Sequence, residues 1–384
     1  MLENEIELSV VMPCLNEAET LGVCISKAKR FLEDNTVKGE IIIADNGSTD
    51  GSLEIAKQNH IKLINVKKKG YGNAVRAGIE ASNGKYIIMG DADDSYDFSQ
   101  LMPILVELRN GNDLVMGNRF KGGIEKNAMP FLHKYLGNPV LSFLGKLFFK
   151  IKIGDFHCGL RGFSKNAYKT MNLKTTGMEF ASEMVVKAKL NQLAITEVPI
   201  KLYRDGRSRK PHLKTWSDGW RHLRFLLLYA PNWLFLYPGI FMTFLGLIGS
   251  VLLAINPLNF GGVTLDIHTL LYAVTLLLIG IQFIIFYGLT KIYAVENELL
   301  PKSKRYNNLF DYINLEKGLI LGALMILVGF YLSLEGIASW RTAGFGELNT
   351  RSTMRLIIPA ITLLQLGVQA VLFSFFFSIL GLKK

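Results

Sequence analysis

Asp91 and Asp93 stand one residue apart in the run Gly90-Asp91-Ala92-Asp93-Asp94-Ser95, directly after the apolar stretch Tyr86-Ile87-Ile88-Met89. A strand ending there would present two carboxylates at one rim. Two such oxygens can share Mg²⁺ or Mn²⁺ with a nucleotide diphosphate. Turns are also rich in Asp, so the same run suits an exposed Asx-type turn, and its surroundings must decide. Val11-Met12-Pro13 is followed by Asn16 and Glu17, two further polar contacts at a strand end. Asp45 closes another apolar run and could accept hydrogen bonds from a base or ribose. Asn46–Gly51 reads as a tight turn with Asp50 as a helix cap. Lys67-Lys68-Lys69-Gly70-Tyr71-Gly72-Asn73 either brings positive charge to a diphosphate or is a solvated basic loop, and Gly70 allows close backbone approach. No GxGxxG turn follows the first apolar run, which argues against a nicotinamide-binding enzyme.

The elements that would position these residues alternate. Residues 6–12, 40–44, 61–66, 86–89 and 113–116 read as strands, with helical patterns at 21–32, 52–58, 72–82 and 98–108 between them. That alternation predicts βαβ units, a mostly parallel sheet and helices on both faces. Ligands of open α/β sheets bind at the carboxyl ends of the strands, which gathers segments 13–17, 45–50, 67–73 and 91–95 on one rim.

A chain of 384 residues with 49% hydrophobic and 20% charged residues suggests a membrane-associated protein of two or three domains. The average hides a division. After Ala230 the chain holds 10 Lys+Arg and 7 Asp+Glu, which leaves a net charge of +8 on the first 230 residues, and no Lys or Arg occurs from Asn232 to Thr290. Four apolar spans follow at about 233–255, 270–292, 319–340 and 356–380, each near or above the length needed to cross a bilayer. The expectation is a catalytic domain over 1–230 and an all-α membrane domain over 231–384. Segments 134–153 and 213–230 read as helices lying in the membrane interface, with an ordinary amphipathic core helix as the alternative for the first. Lys291, Lys302, Lys304, Arg305 and Lys317 after the second span, and Lys383-Lys384, place both termini on the cytoplasmic side by the positive-inside rule. The acidic, polar start predicts no secretory signal and a cytoplasmic first domain. Cys14, Cys24 and Cys158 have no CxxC spacing and suit a reducing compartment, and His157-Cys158 lacks a second pair at zinc spacing. The basic excess suits anionic lipid or a phosphorylated substrate, and the absence of a recognition motif disfavours nucleic acid.

The segments Val11–Glu17, Asp45–Gly51, Gly70–Ala77, Gly90–Asp94 and Gly117-Asn118-Arg119-Phe120 together resemble the family 2 glycosyltransferases of GT-A fold. The branch they look most like is the polyprenyl-phosphate sugar synthases. Asp155–Phe163 and Val198–Arg209 continue the likeness, which covers residues 7–225. The resemblance implies metal contacts at Asp91 and Asp93, and nucleotide-sugar contacts at Pro13, Asn16, Glu17, Asp45, Gly70, Asp91, Ala92 and Asp93. It implies that Arg119 holds the acceptor phosphate. Where some relatives carry an Arg and a Ser after Pro130, this chain has His133 and Gly137, with Lys134 as a substitute cation, and Arg209 replaces a common Lys.

The implied reaction is inverting transfer of a hexose from UDP-glucose or GDP-mannose to a dolichyl or undecaprenyl phosphate at the cytoplasmic membrane face. A phosphate acceptor is largely dianionic at neutral pH and needs cations rather than a base. Arg119, Lys134, Arg204, Arg207 and Arg209 are the available cations. A hydroxyl acceptor would need a carboxylate base, for which Glu179 and Glu183 are the candidates. A catalytically dead glycolipid transporter or scaffold is the reading from another class. The intact Asp91-Ala92-Asp93 and the lack of charge deep in the spans oppose it. No Gln-x-x-Arg-Trp occurs, which disfavours a sugar-polymer synthase. Beyond anchoring, the spans are free to contact the lipid tail or to form a homo-oligomer.

Overall fold

The computed structural model describes residues 6–208, 215–297, 299–301 and 315–381. The chain forms two compact units, Met1–Leu228 and Tyr229–Lys384.

In the first unit, β1 (Leu8–Cys14), β2 (Gly39–Asp45), β3 (Lys62–Asn65) and β4 (Tyr86–Met89) alternate with α1 (Leu21–Asp34), α2 (Ser52–Gln58) and α3 (Tyr71–Glu80). After α4 (Met102–Arg109) come β5 (Leu114–Asn118), a short α5 (Arg119–Gly122), β6 (Arg161–Ser164) and β7 (Ile195–Pro199). The sheet order is β3-β2-β1-β4-β6-β5-β7. All neighbours run parallel except β6, which lies antiparallel to both β4 and β5. Every residue of β1 is buried, as befits a strand with helices on both faces. The chain order reverses between β1 and β4. The crevice beyond their carboxyl ends is therefore the ligand site that the topology predicts.

The sequence pattern does not reveal β6 or β7. Arg-Gly-Phe-Ser has no apolar run, and its reversed direction breaks the βαβ rhythm. Arg161 on β6 is nevertheless fully buried, donating to the carbonyls of Cys158 and Ala181. It thereby ties the segment before β6 to α8 (Phe180–Leu190), which follows α7 (Lys165–Met171). Segment 134–153 is a π-helical turn, His133–Gly137, running into α6 (Asn138–Phe149). That helix is not wholly core. Leu141, Gly145 and Phe149 are buried, whereas Phe143 is 61% exposed. A Cβ on Gly145 would lie 2.6 Å from the Phe156 ring, so the small residue lets α6 pack down onto the loop before β6. A further helix, α9, covers Thr215–Tyr229.

The second unit holds α10 (Tyr237–Ile255), entered by a π-helical turn at Asn232–Leu236, then α11 (Ile267–Glu296), α12 (Leu315–Thr342) and α13 (Thr350–Gly381). All four helices are long and apolar enough to cross a membrane. Glycines set the close approaches. A Cβ on Gly246 would lie 2.3 Å from the Leu277 amide nitrogen, and one on Gly329 would lie 2.8 Å from the Ala360 carbonyl. Gly322, Gly329 and Gly336 are buried along α12 against α13, an interface of the small-residue kind favoured between membrane helices. The unit is not wholly helical. Leu258–Phe260 (β8) and Val263–Leu265 (β9) form an antiparallel hairpin, with Gly261 and Gly262 at φ 54° and 87° supplying its turn.

Candidate active site

The segments after β1, β2 and β4 are laced to one another, and this lacing builds the site. Asn16, at φ 58°, accepts from the Thr49 amide at 2.7 Å through its side chain, and its own amide donates to Ser48 Oγ at 2.7 Å. The Glu17 amide donates to Ser52 Oγ. Asp50 accepts from the amides of Ala18 and Ser52, but the N-cap of α2 is Gly51, in the left-handed region, rather than the expected Asp50. Asn46 accepts from the Gly70 amide at 2.7 Å, and the Thr20 hydroxyl donates to the Ala92 carbonyl at 2.7 Å. Asp45 is 3% exposed and accepts from the amides of Gly47 and Ser48. It shapes its own turn, and Asn46 rather than Asp45 reaches the cavity wall.

A cavity of about 510 Å³ opens at this rim, lined by Pro13, Glu17, Asn46, Lys69, Gly70, Tyr71, Asp91, Ala92, Asp93 and Arg207 among others. The Tyr71 hydroxyl donates to Asp91, whose carboxyl is pushed up to about 7 by burial and, next, by the charge of Asp93. Asp93 accepts from the Ser95 amide and hydroxyl through Oδ1, and from Arg207 Nη2 at 2.8 Å through Oδ2. Arg207 also bonds Glu17 Oε1 at 3.0 Å and Asp205 at 3.1 Å. A Cβ at Gly159 would lie 2.3 Å from Asp91 Oδ2, so glycine is what leaves room for this carboxylate.

A second cavity, of about 540 Å³, meets the first at Tyr71, Asp91, Met178 and Asp218, which line both. Leu132, Leu136, Val140, Leu141, Trp216, Trp220 and Leu223 give it an apolar wall, and Arg119, His133, His157 and His222 are its basic side chains. Arg119 opens α5 behind the Asn118 cap. Its Nε and Nη2 bond Asp155 at 2.7 and 2.8 Å, and Asp155 is fully buried. The apolar wall continues onto an exposed surface, where Phe131 is 74% exposed and Trp216 79%.

Several expected roles shift. Arg207, expected at the acceptor phosphate, sits in the first cavity as the partner of Asp93 and Glu17, because the chain after β7 crosses the β1 and β4 loops. Its neighbour Gly206 donates to the Asp93 carbonyl there. Lys134 lines neither cavity and lies over the Tyr135 ring at 5.4 Å. Arg204 is exposed, away from both, and its amide donates to Glu125. Arg209 falls outside the described residues. Glu183 is fully buried, accepting from the amides of Lys174 and Thr175 and the Thr175 hydroxyl and pairing with Lys187 at 3.3 Å. It orders a loop and is in no position to act as a base, and Glu179 lines neither cavity. All three cysteines are buried, with burial raising their thiols to about 11 or 12, so they pack rather than react.

The residues missed from the sequence are Tyr71, Ser182, Asp218 and His222. Tyr71 had a signal, since it lies inside the quoted glycine run. The other three sit on helices with no local motif and meet the site only through folding.

The family model described as Glycosyl transferase family 2 matches residues 9–171, and that described as Glycosyltransferase family 2 C-terminal transmembrane region matches residues 288–381. The low-salt glycan biosynthesis hexosyltransferase Agl6 of Haloferax volcanii is 37% identical over 378 residues, 97% of this chain and 89% of that protein. The dolichyl-phosphate hexose transferase of the same organism is 28% identical, covering 50% of this chain and 82% of the relative. The dolichol-phosphate mannosyltransferase of Pyrococcus furiosus is 29% identical, covering 50% of this chain and 56% of the relative.

Proposed function

Given that this chain belongs to glycosyltransferase family 2, we propose that it moves a hexose from a nucleotide sugar to a polyprenyl phosphate, with inversion at the anomeric carbon. It is an integral membrane glycosyltransferase with a GT-A catalytic unit. The observation that carries the finer reading is the pair of cavities meeting at Asp91. One is walled by charged and backbone groups suited to a nucleotide diphosphate. The other joins an arginine to an apolar wall, which suits a phosphate on a hydrocarbon chain. The names of the dolichyl-phosphate relatives support the same acceptor class.

Two carboxylates of one cavity, one of them pushed up to about 7 by burial and next by the charge of the other, make a donor set that fits a hard divalent cation. Asp91 and Asp93 would hold Mg²⁺ or Mn²⁺, which when bound supplies positive charge to a leaving diphosphate. The chain's own residues do the rest. Asn46 and Gly70, bonded to each other, shape the wall that faces the donor. Arg119, fixed by Asp155, meets the acceptor phosphate, which attacks without a base because it is already ionised. The exposed Phe131, Tyr135, Phe143 and Trp216 let the second cavity's rim enter a bilayer surface.

Lys291 and Lys317 flank the connector between the second and third spans, and Asn232–Thr290 carries no Lys or Arg. This supports a cytoplasmic catalytic unit. Labelled UDP-glucose and GDP-mannose, each offered with polyprenyl phosphate to the purified full-length protein, test the reaction. Label should enter the lipid from one donor and be lost in Asp93→Asn. No label from any donor, with folded protein and metal present, would sink the proposal.

A further inference from the structure

The second cavity has an unmet charge requirement. A phosphate monoester carries about −1.5 to −2 at neutral pH. Among the described residues lining the cavity, Arg119 is the one permanent cation, and Asp91 and Asp218 are carboxylates. Arg119 is moreover half engaged, through Nε and Nη2, with Asp155. A dianion beside it needs further donors and further positive charge.

Three of the chain's six histidines line this same cavity: His133, His157 and His222. Two of them share one hydroxyl. Ser182 Oγ lies 2.8 Å from His222 Nδ1 and 3.2 Å from His157 Nε2. The two rings meet edge to face with centroids 4.5 Å apart. A serine has one proton to donate, so the two bonds are coupled. If Ser182 donates to His222, it accepts from His157 Nε2–H and leaves His157 Nδ1 a bare acceptor. If it donates to His157, it accepts from His222 Nδ1–H and His157 Nδ1 becomes a donor. His157 Nδ1 is buried and has no hydrogen-bond partner among the described residues. Flipping one hydroxyl therefore switches a buried ring nitrogen beside the cavity between accepting and donating.

Charges of both signs surround the pair, with Asp155 accepting from the His157 amide. His157 faces His222, Arg119 on α5 and Arg161 on β6, and His222 faces Arg161 and, on its own helix, Asp218. Burial first, then the neighbouring His222 ring, Arg119 and Arg161, hold His157 well below its ordinary value, and burial keeps His222 down at about 4 despite Asp218. A phosphate dianion placed against Arg119 adds negative charge beside this pair, which favours a protonated ring.

We propose that the His157–Ser182–His222 chain is the second half of the acceptor-phosphate site, taking up one proton as the phosphate binds. The proposal rests on the polyprenyl-phosphate reading above. It assigns a positioning role to three residues that hold no part in the donor site.

Isothermal titration of the full-length protein in detergent with a polyprenyl monophosphate, at pH 7 in buffers of different ionisation enthalpy, counts the protons exchanged. The wild type should take up about one proton per bound phosphate. His157→Gln and Ser182→Ala should take up less than about 0.3 while melting as a folded protein. In transfer assays the same variants should raise the acceptor KM about tenfold and leave the donor KM within about twofold. Ser182→Ala keeps both rings, so its loss of proton uptake separates the coupled chain from the histidines acting singly. Binding without proton uptake in the wild type overturns the inference. So does uptake that persists in both variants, since the proton then resides on the phosphate. No binding of the lipid phosphate by the wild type overturns the acceptor reading as well.

Discussion

Replacing Asp155 by Asn isolates the ion pair that fixes the second cavity. Asp155 is fully buried and accepts from Arg119 N, Nε and Nη2, with the His157 amide as a fourth donor at 3.3 Å. Arg119 itself is only 8% exposed. Asn keeps the shape and one acceptor oxygen but removes the charge, stranding a guanidinium in a dry site. Breaking a buried pair from one side costs about 3–5 kcal/mol. The retained acceptor places Asp155→Asn near the lower end, about 3 kcal/mol. For a unit of this size each kcal/mol moves the melting point by roughly 2–4 °C, so the catalytic unit should melt about 6–12 °C lower. Thermal unfolding of the detergent-solubilised protein, with Arg119→Met, Asp155→Leu and the double variant Arg119→Met/Asp155→Leu alongside, completes the test. The double variant should recover most of the loss, because an apolar pair leaves no uncompensated charge. A shift below about 2 °C for Asp155→Asn would refute the buried-pair argument. So would a double variant as unstable as the sum of its parts.

Acidification should destabilise the catalytic unit through His222. Its value falls from 6.5 to about 4 on folding, so the unfolded chain binds the proton first. Stability is therefore complete above pH 6.5 and is lost as pH falls toward 4, by about 2 kcal/mol between pH 7 and pH 5, an increment that His222→Gln should abolish in pH-dependent melting curves. Glu183→Gln should lower the melting point by several degrees yet leave the pH profile of kcat unmoved; a lost acidic limb would restore Glu183 as a base. Arg207→Gln frees one oxygen of Asp93, so Mn²⁺ binding without nucleotide, read by paramagnetic resonance, should tighten several-fold, whereas weaker binding would mean that Arg207 helps to form the metal site. Gly329→Leu places side-chain atoms against the Ala360 carbonyl, so α12 and α13 should separate, with loss of the second unit's thermal transition; unchanged melting would mean the helix contact is looser than the structure shows.

What could be read from the sequence depended on how local the signal was. The β1–β4 half of the sheet announces itself because each strand is an apolar run closed by a polar turn, and Tyr86–Met89 and Ser52–Gln58 are found where the pattern puts them. The four long apolar helices are equally plain, since bilayer length leaves a long apolar stretch little alternative. The family likeness stands as read. The second half of the sheet was hidden. β6 is four residues long and held by antiparallel neighbours far apart in the chain. The site divides the same way. Asp91, Asp93, Pro13 and Gly70 could be placed by position at strand ends. Ser182, Asp218 and His222 could not, because α8 and α9 meet the site only through tertiary packing. Arg207 shows the limit most clearly, since its charge was legible but the carboxylates it would meet, Glu17 and Asp93, lie far back in the chain.

Because Tyr71, Asp91, Met178 and Asp218 belong to the walls of both cavities, a ligand long enough to turn the corner past them would occupy both. A molecule joining a nucleotide mimic to an alkyl phosphonate would place its second half at the high effective concentration set by a short linker. Its affinity would then exceed that of either half by far more than their separate contacts suggest. The linker would have to pass the Asp91 carboxylate, so a cationic or hydrogen-bond-donating bridge would outbind a bare hydrocarbon one.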